Sequence, residues 1–150
     1  MELISPYIIA GLAGWVVAQG LKYIMKSVKG GRLASVRQLY SSGRMPSAHS
    51  ATVTAVALVI GVEEGFGSAV FGLAVVVASV VMYDAVMVRR SSGEQGASLT
   101  ELLNERNKKY KNKIVLPRVA RGHTPLEVAV GALVGVVVGV MVVAIQPFVV

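Results

Sequence analysis

A chain of 150 residues, 54% of them apolar and only 15% charged, is long enough for one compact unit and too apolar for an ordinary soluble domain. Fifteen Lys and Arg against eight Asp and Glu give a formal charge of +7, yet no stacking aromatics interleave the cations, so nucleic-acid binding is set aside. The absence of cysteine excludes disulfides, thiolate metal sites and cysteine nucleophiles.

Taken in chain order, Glu2 leads directly into a long apolar run rather than through a basic region into a cleavage site, so a retained span is expected at about 7–25. A basic loop, 26–46, follows. The next apolar run, about 48–62, is nearer 15 residues and by length alone would suit a buried or re-entrant helix. Spans at about 67–88 and 124–150 reach the roughly 20 residues that a hydrocarbon core requires. A second basic loop, 89–123, separates them, and within it Ser98 to Asn107 reads as an amphipathic interfacial helix. Counting 48–62 as a crossing puts both basic loops on one side, with Glu2, Glu63, Glu64 and the apolar C-terminus on the other. The expectation is therefore an all-α, polytopic membrane helix bundle of about four transmembrane helices in a single domain. The positive-inside rule places its basic loops in the cytoplasm and both termini opposite. Gly131, Gly135 and Gly139, spaced by four, form a packing or dimerisation face, and a homodimer is one reading of them.

Three polar clusters stand where apolar spans meet the basic loops: Arg44-Met-Pro-Ser-Ala-His-Ser50, Tyr83-Asp-Ala-Val-Met-Val-Arg-Arg90 and Arg121-Gly-His-Thr-Pro-Leu-Glu127. Antiparallel spans bring all three, with Lys22, to the same membrane face. His123 and Glu127 are four apart on one helical face, where the carboxylate can accept a hydrogen bond from the ring and fix its tautomer. Read alone, Glu127 is equally the acid that a helix N-terminus favours. Asp84 lies inside the third span, where an ionisable group is costly, with Lys22 or Arg89 as partner in a functional or a structural pair. Arg90 reads as a topological anchor.

Hydrolysing a phosphate ester takes cations on the equatorial oxygens, an in-line nucleophile and an acid for the leaving oxygen. Lys and Arg, one His and a second His supply that set, and Pro46-Ser-Ala-His adds backbone N–H groups at a helix start. Metal ligation would need a third or fourth ligand that the sequence does not offer, among cations that would repel the ion, so no metal and no cofactor are expected.

At Met45-Pro-Ser-Ala-His-Ser-Ala51, Tyr83-Asp-Ala with Val88-Arg-Arg, and Gly122-His-Thr-Pro-Leu-Glu127, the chain resembles the divergent type 2 phosphatidic acid phosphatase family, described also as acid phosphatase and vanadium-dependent haloperoxidase related. The resemblance covers nearly the whole chain. It implies that His49 protonates the leaving group, that Ser47 contacts phosphate, and that His123 is the nucleophile oriented by Glu127. Ala48 stands for the superfamily's Gly and Glu127 for its Asp; its Lys, six residues, Arg-Pro motif is missing, leaving Lys22 and Arg89 to bind phosphate. The Ser-Arg pair usual before the nucleophile is also missing, although Arg118 and Arg121 lie nearby.

The function so implied is hydrolysis of a lipid or polyprenyl phosphate, of the phosphatidylglycerol phosphate, phosphatidate or prenyl diphosphate type, through a phosphohistidine intermediate. The partners are an amphiphilic substrate and membrane lipid. Two other readings share the pocket: a non-catalytic protein binding anionic lipid phosphate, and a peroxidase using bound vanadate.

Overall fold

The computed structural model describes residues 5–30, 45–110, 114–116, 119 and 122–145. Among them every regular element is helical: α1 (Pro6–Gly30), α2 (Ala48–Glu63), α3 (Ala69–Tyr83), a π turn (Asp84–Val88), α4 (Arg89–Tyr110) and α5 (Pro125–Ile145). α1, the apolar part of the continuous 69–110 helix, and α5 are each long and apolar enough to cross a membrane. α2, at 16 residues, rises only about 24 Å.

α2 is the centre of the bundle, packed between α1 and α5, with α3 against it from outside. Close approaches fix the directions. Going up α1, Gly11 faces Val56 and Gly14 faces Ala51 and Ala55, so α1 and α2 are antiparallel. Gly131 meets Ser47, Gly135 meets Ala51 and Thr54, and Gly139 meets Ala55 and Leu58, so α5 and α2 run parallel. The starts of α2 and α5 and the end of α1 therefore share one end of the bundle. At the other end Tyr7 Oη donates to Glu64 in the α2–α3 turn. Gly65 makes that turn at φ 90°, a conformation open to glycine, and the Phe66 and Phe71 rings meet edge to face over Gly61.

Small residues fill the interior, among them Ala10, Ala18, Ala48, Ala51 and Ala55, while Ile8, Leu12, Leu73, Val76, Val80, Leu133 and Met141 face outward. A water-soluble bundle would reverse that order. In lipid, where burying a leucine gains nothing over leaving it among acyl chains, close backbone contact between small residues is what holds helices together. The Gly131–Gly135–Gly139 stripe is thus spent inside the chain, against α2.

The second predicted loop differs most from expectation. Its first part, Arg89–Tyr110, is helix continuing directly from α3 through the π turn. The sequence Ser91-Ser92-Gly93 favours a turn, but side-chain pairs four apart span it on the helix: Arg90 Nε to Glu94 at 3.2 Å and Gln95 Nε2 to Ser91 Oγ at 3.3 Å. Asn107 is tied to Ile114, its amide nitrogen donating to the Ile114 carbonyl and its oxygen accepting from the Ile114 N–H. Most of the 26–46 loop and the end of the last predicted span, 146–150, lie outside the described residues.

Candidate functional site

The Thr124-Pro-Leu-Glu127 sequence builds one side of the site. Thr124 begins α5 as its cap, Pro125 occupies the first helical position, and Glu127 closes a capping box: its Oε2 accepts the Thr124 N–H at 3.1 Å while Thr124 Oγ1 accepts the Glu127 N–H at 3.3 Å. The same Oε2 lies 3.0 Å from Nδ1 of His123. The helix-start role and the histidine-orienting role of Glu127, alternatives on sequence, are performed at once by one oxygen. His123 is only 6% exposed. Its backbone N–H donates to the Ala85 carbonyl in the π turn at 3.0 Å.

The start of α2 builds the facing side. Ser47 caps the helix, its Oγ accepting the Ser50 N–H at 3.3 Å and the Ser50 hydroxyl at 2.9 Å. Its own N–H donates to the Glu127 carbonyl at 3.0 Å, tying α2 to α5. Ser47 is fully buried, and its hydroxyl is engaged in the cap. Ala48 is buried with Ala18 and Ala51, and its methyl group packs where the superfamily's glycine would leave space. His49, next along, is exposed at the helix start.

The remaining expected groups divide. Lys22, about two turns before the end of α1, is buried, has no carboxylate within ion-pair distance among the described residues, and feels the charge of Glu127. Arg89 pairs with Asp84, which chooses between the two partners expected for that acid. The charges of Arg89, His123, Lys22 and Asp84 all act on the His49 ring, so charged groups from α1, the π turn and α5 lie around the start of α2. Arg90, with Glu94, Thr100, Val119, Thr124 and His123 itself, lines a cavity of about 640 Å³ under α4. Arg118 and Arg121 lie outside the described residues, as does Arg44. Among those described, no cluster of three potential metal ligands occurs.

Three contributors were not singled out from sequence. Thr124 was legible, since Thr-x-x-Glu is a capping-box signature. The Ala85 carbonyl and Glu94 carried no signal of their own, being respectively a backbone group exposed by helix geometry and one acid among several on a polar helix.

Small-residue helix packing, outward-facing large apolar side chains and three helices of membrane-crossing length define an integral membrane protein. Its sequence matches the Divergent PAP2 family over residues 4–138, and the chain belongs to that family. It is 31% identical over 148 residues to a protein of Bacillus subtilis (strain 168) named as uncharacterized membrane protein YuiD, an alignment covering 91% of this chain and 93% of the relative. No solved structure matches it.

Proposed function

We propose that the chain is a metal-independent membrane phosphatase acting on a lipid or polyprenyl phosphate. The observation that carries this reading is the buried His123 ring, held through Nδ1 by Glu127, at the end of the bundle that also carries His49, Lys22 and Arg89. With Nδ1 protonated and donating to Glu127, the lone pair for attack is on Nε2. Lys22 and Arg89 supply positive charge for the phosphoryl oxygens.

In the first step His123 Nε2 bonds to phosphorus as the ester P–O bond breaks, and His49 gives a proton to the departing oxygen. In the second, His49 takes a proton from water as the water oxygen attacks phosphorus; the P–N bond breaks, releasing inorganic phosphate and restoring His123. The pocket stands where apolar spans give way to the polar α4, which suits a substrate whose tail stays in lipid while its phosphate lies among cations. Phosphatidylglycerol phosphate, phosphatidate and prenyl diphosphates all have that form. By the positive-inside argument this face is cytoplasmic.

The missing Lys, six residues, Arg-Pro motif and Ser-Arg pair favour a second reading, in which the site binds an anionic lipid phosphate without cleaving it. Phosphate release from such a panel by purified protein in detergent, with a chelator present, decides between them. Release by wild type and not by His123→Ala supports the phosphatase; binding without release by either supports the second reading.

A further inference from the structure

Asp84–Val88 is the one stretch of the described residues where the helical ladder shifts to π spacing, and it occurs where the continuous 69–110 helix passes the site. Such single π turns interrupt α-helices mostly at functional sites, because the shifted register re-aims side chains and backbone groups. In an α-helix residues five apart point about 140° away from each other. Here the Arg89 N–H bonds to the Asp84 carbonyl, closing the wider turn, and the two residues return to the same side of the helix. Their side chains then meet: Arg89 Nε donates to Asp84 Oδ2.

Two consequences converge on the pocket. Using Nε for Asp84 fixes the guanidinium plane and leaves the two terminal nitrogens with no hydrogen bond to another described residue, a fork matched to two phosphoryl oxygens. One residue after Asp84, the Ala85 carbonyl accepts the backbone N–H of His123 at 3.0 Å. A single turn of helix thus sets the arginine and the buried histidine relative to each other, and the charges of Asp84, Arg89 and His123 all act on His49.

We propose that the π turn is the positioning element of this site, and that Asp84 is a positioning residue that acts through Arg89 to present its fork to the phosphate group. The assignment rests on the phosphate-handling reading above. Removing Asp84 should weaken hold on phosphate without touching the histidines: KM for a phosphate substrate and the inhibition constant of orthovanadate rise together by about tenfold or more, while kcat changes little.

The test is a double-mutant cycle in the full-length detergent-solubilised protein, reading both constants for wild type, Asp84→Ala, Arg89→Ala and the pair. If Asp84 works through Arg89, the double variant is no worse than Arg89→Ala alone. Additive losses, or an Asp84→Ala protein with unaltered constants, overturn the proposal and leave the phosphatase reading standing. Asp84→Asn, which keeps the side-chain shape and weakens the charged bond, gives the same comparison should the alanine variant fail to fold. Wild type that neither binds orthovanadate nor releases phosphate overturns both.

Discussion

A methyl group placed on Gly131 would lie 2.4 Å from the carbonyl oxygen of Ser47, so α5 and the cap of α2 touch backbone to backbone one turn beyond Glu127. Gly131→Ala must therefore push the two helices apart or bend one of them. Overpacking of this kind costs about 1–3 kcal/mol. Because the displaced elements carry His49 and His123, activity should fall along with stability. Gly72, whose added methyl would meet nothing within 4 Å, is the control: Gly72→Ala should leave both unchanged or slightly improved. Thermal unfolding in detergent with paired activity measurements checks this, and an equally mild Gly131→Ala would mean that the contact is not a constraint.

The double duty of Glu127 separates two substitutions. Gln keeps an oxygen for the Thr124 N–H and so keeps the cap, but it removes the charge that stabilises a positively charged His123 ring. Turnover should fall by roughly 10²-fold or more with Tm nearly unchanged. Ala removes both functions and should add about 1 kcal/mol of destabilisation. If Gln kept full turnover and Ala lost stability alone, Glu127 would be a cap only.

His49 is exposed at the start of α2, while His123 is buried before the start of α5. A leaving-group acid is dispensable when the leaving oxygen needs no proton. His49→Gln should thus cut turnover by about 10²–10⁴-fold on an aliphatic alcohol phosphate and far less on p-nitrophenyl phosphate. His123→Ala should abolish turnover of both. Equal losses on the two substrates for His49→Gln would assign that ring a binding role instead.

Much of this was readable from residues alone because long-range hydropathy and charge placement carry topology. Three long apolar runs and the sidedness of Lys and Arg were sufficient to bring Lys22, His49, Arg89 and His123 to one end before any contact was known. The spacing of four between His123 and Glu127 likewise anticipated their hydrogen bond. What stayed hidden depends on local competition or on which neighbour fills a space. Ser91-Ser92-Gly93 has turn chemistry, yet the i,i+4 pairs Arg90–Glu94 and Ser91–Gln95 span it within α4. The π turn leaves no periodic mark, since a shift of one hydrogen-bond register over five residues alters no apolar pattern. Gly131, Gly135 and Gly139 announced close packing but not its partner, which is α2 of the same chain.

That intramolecular use of the stripe bears on association. A bulky residue at Gly135, where a methyl group would already come within 2.5 Å of the Ala51 carbonyl oxygen, should unfold or loosen the bundle. Were the stripe a dimer face, Gly135→Val would instead yield a well-folded protein of lower mass. Mass in detergent together with Tm distinguishes the two, and a drop in Tm at unchanged mass is the expected result.

The chain's lack of cysteine permits a direct test of how α2 lies in the membrane. α2 rises only about 24 Å, less than the hydrocarbon thickness, yet its two ends are held by helices of full crossing length: Ser47 against Gly131 of α5 at one end, Glu64 against Tyr7 of α1 at the other. If α1 and α5 both cross, those ties should bring the α2–α3 turn to the far surface, with the bilayer thinning around α2. Single cysteines at Ser35 in the first basic loop, Gly67 in the α2–α3 turn and Ser98 on α4 should therefore react with a membrane-impermeant maleimide in an alternating pattern. In intact cells Gly67→Cys labels, while Ser35→Cys and Ser98→Cys label only after permeabilisation. Labelling of Ser35→Cys and Gly67→Cys from the same side would make α2 a re-entrant element and remove the argument that puts the histidines at the cytoplasmic face.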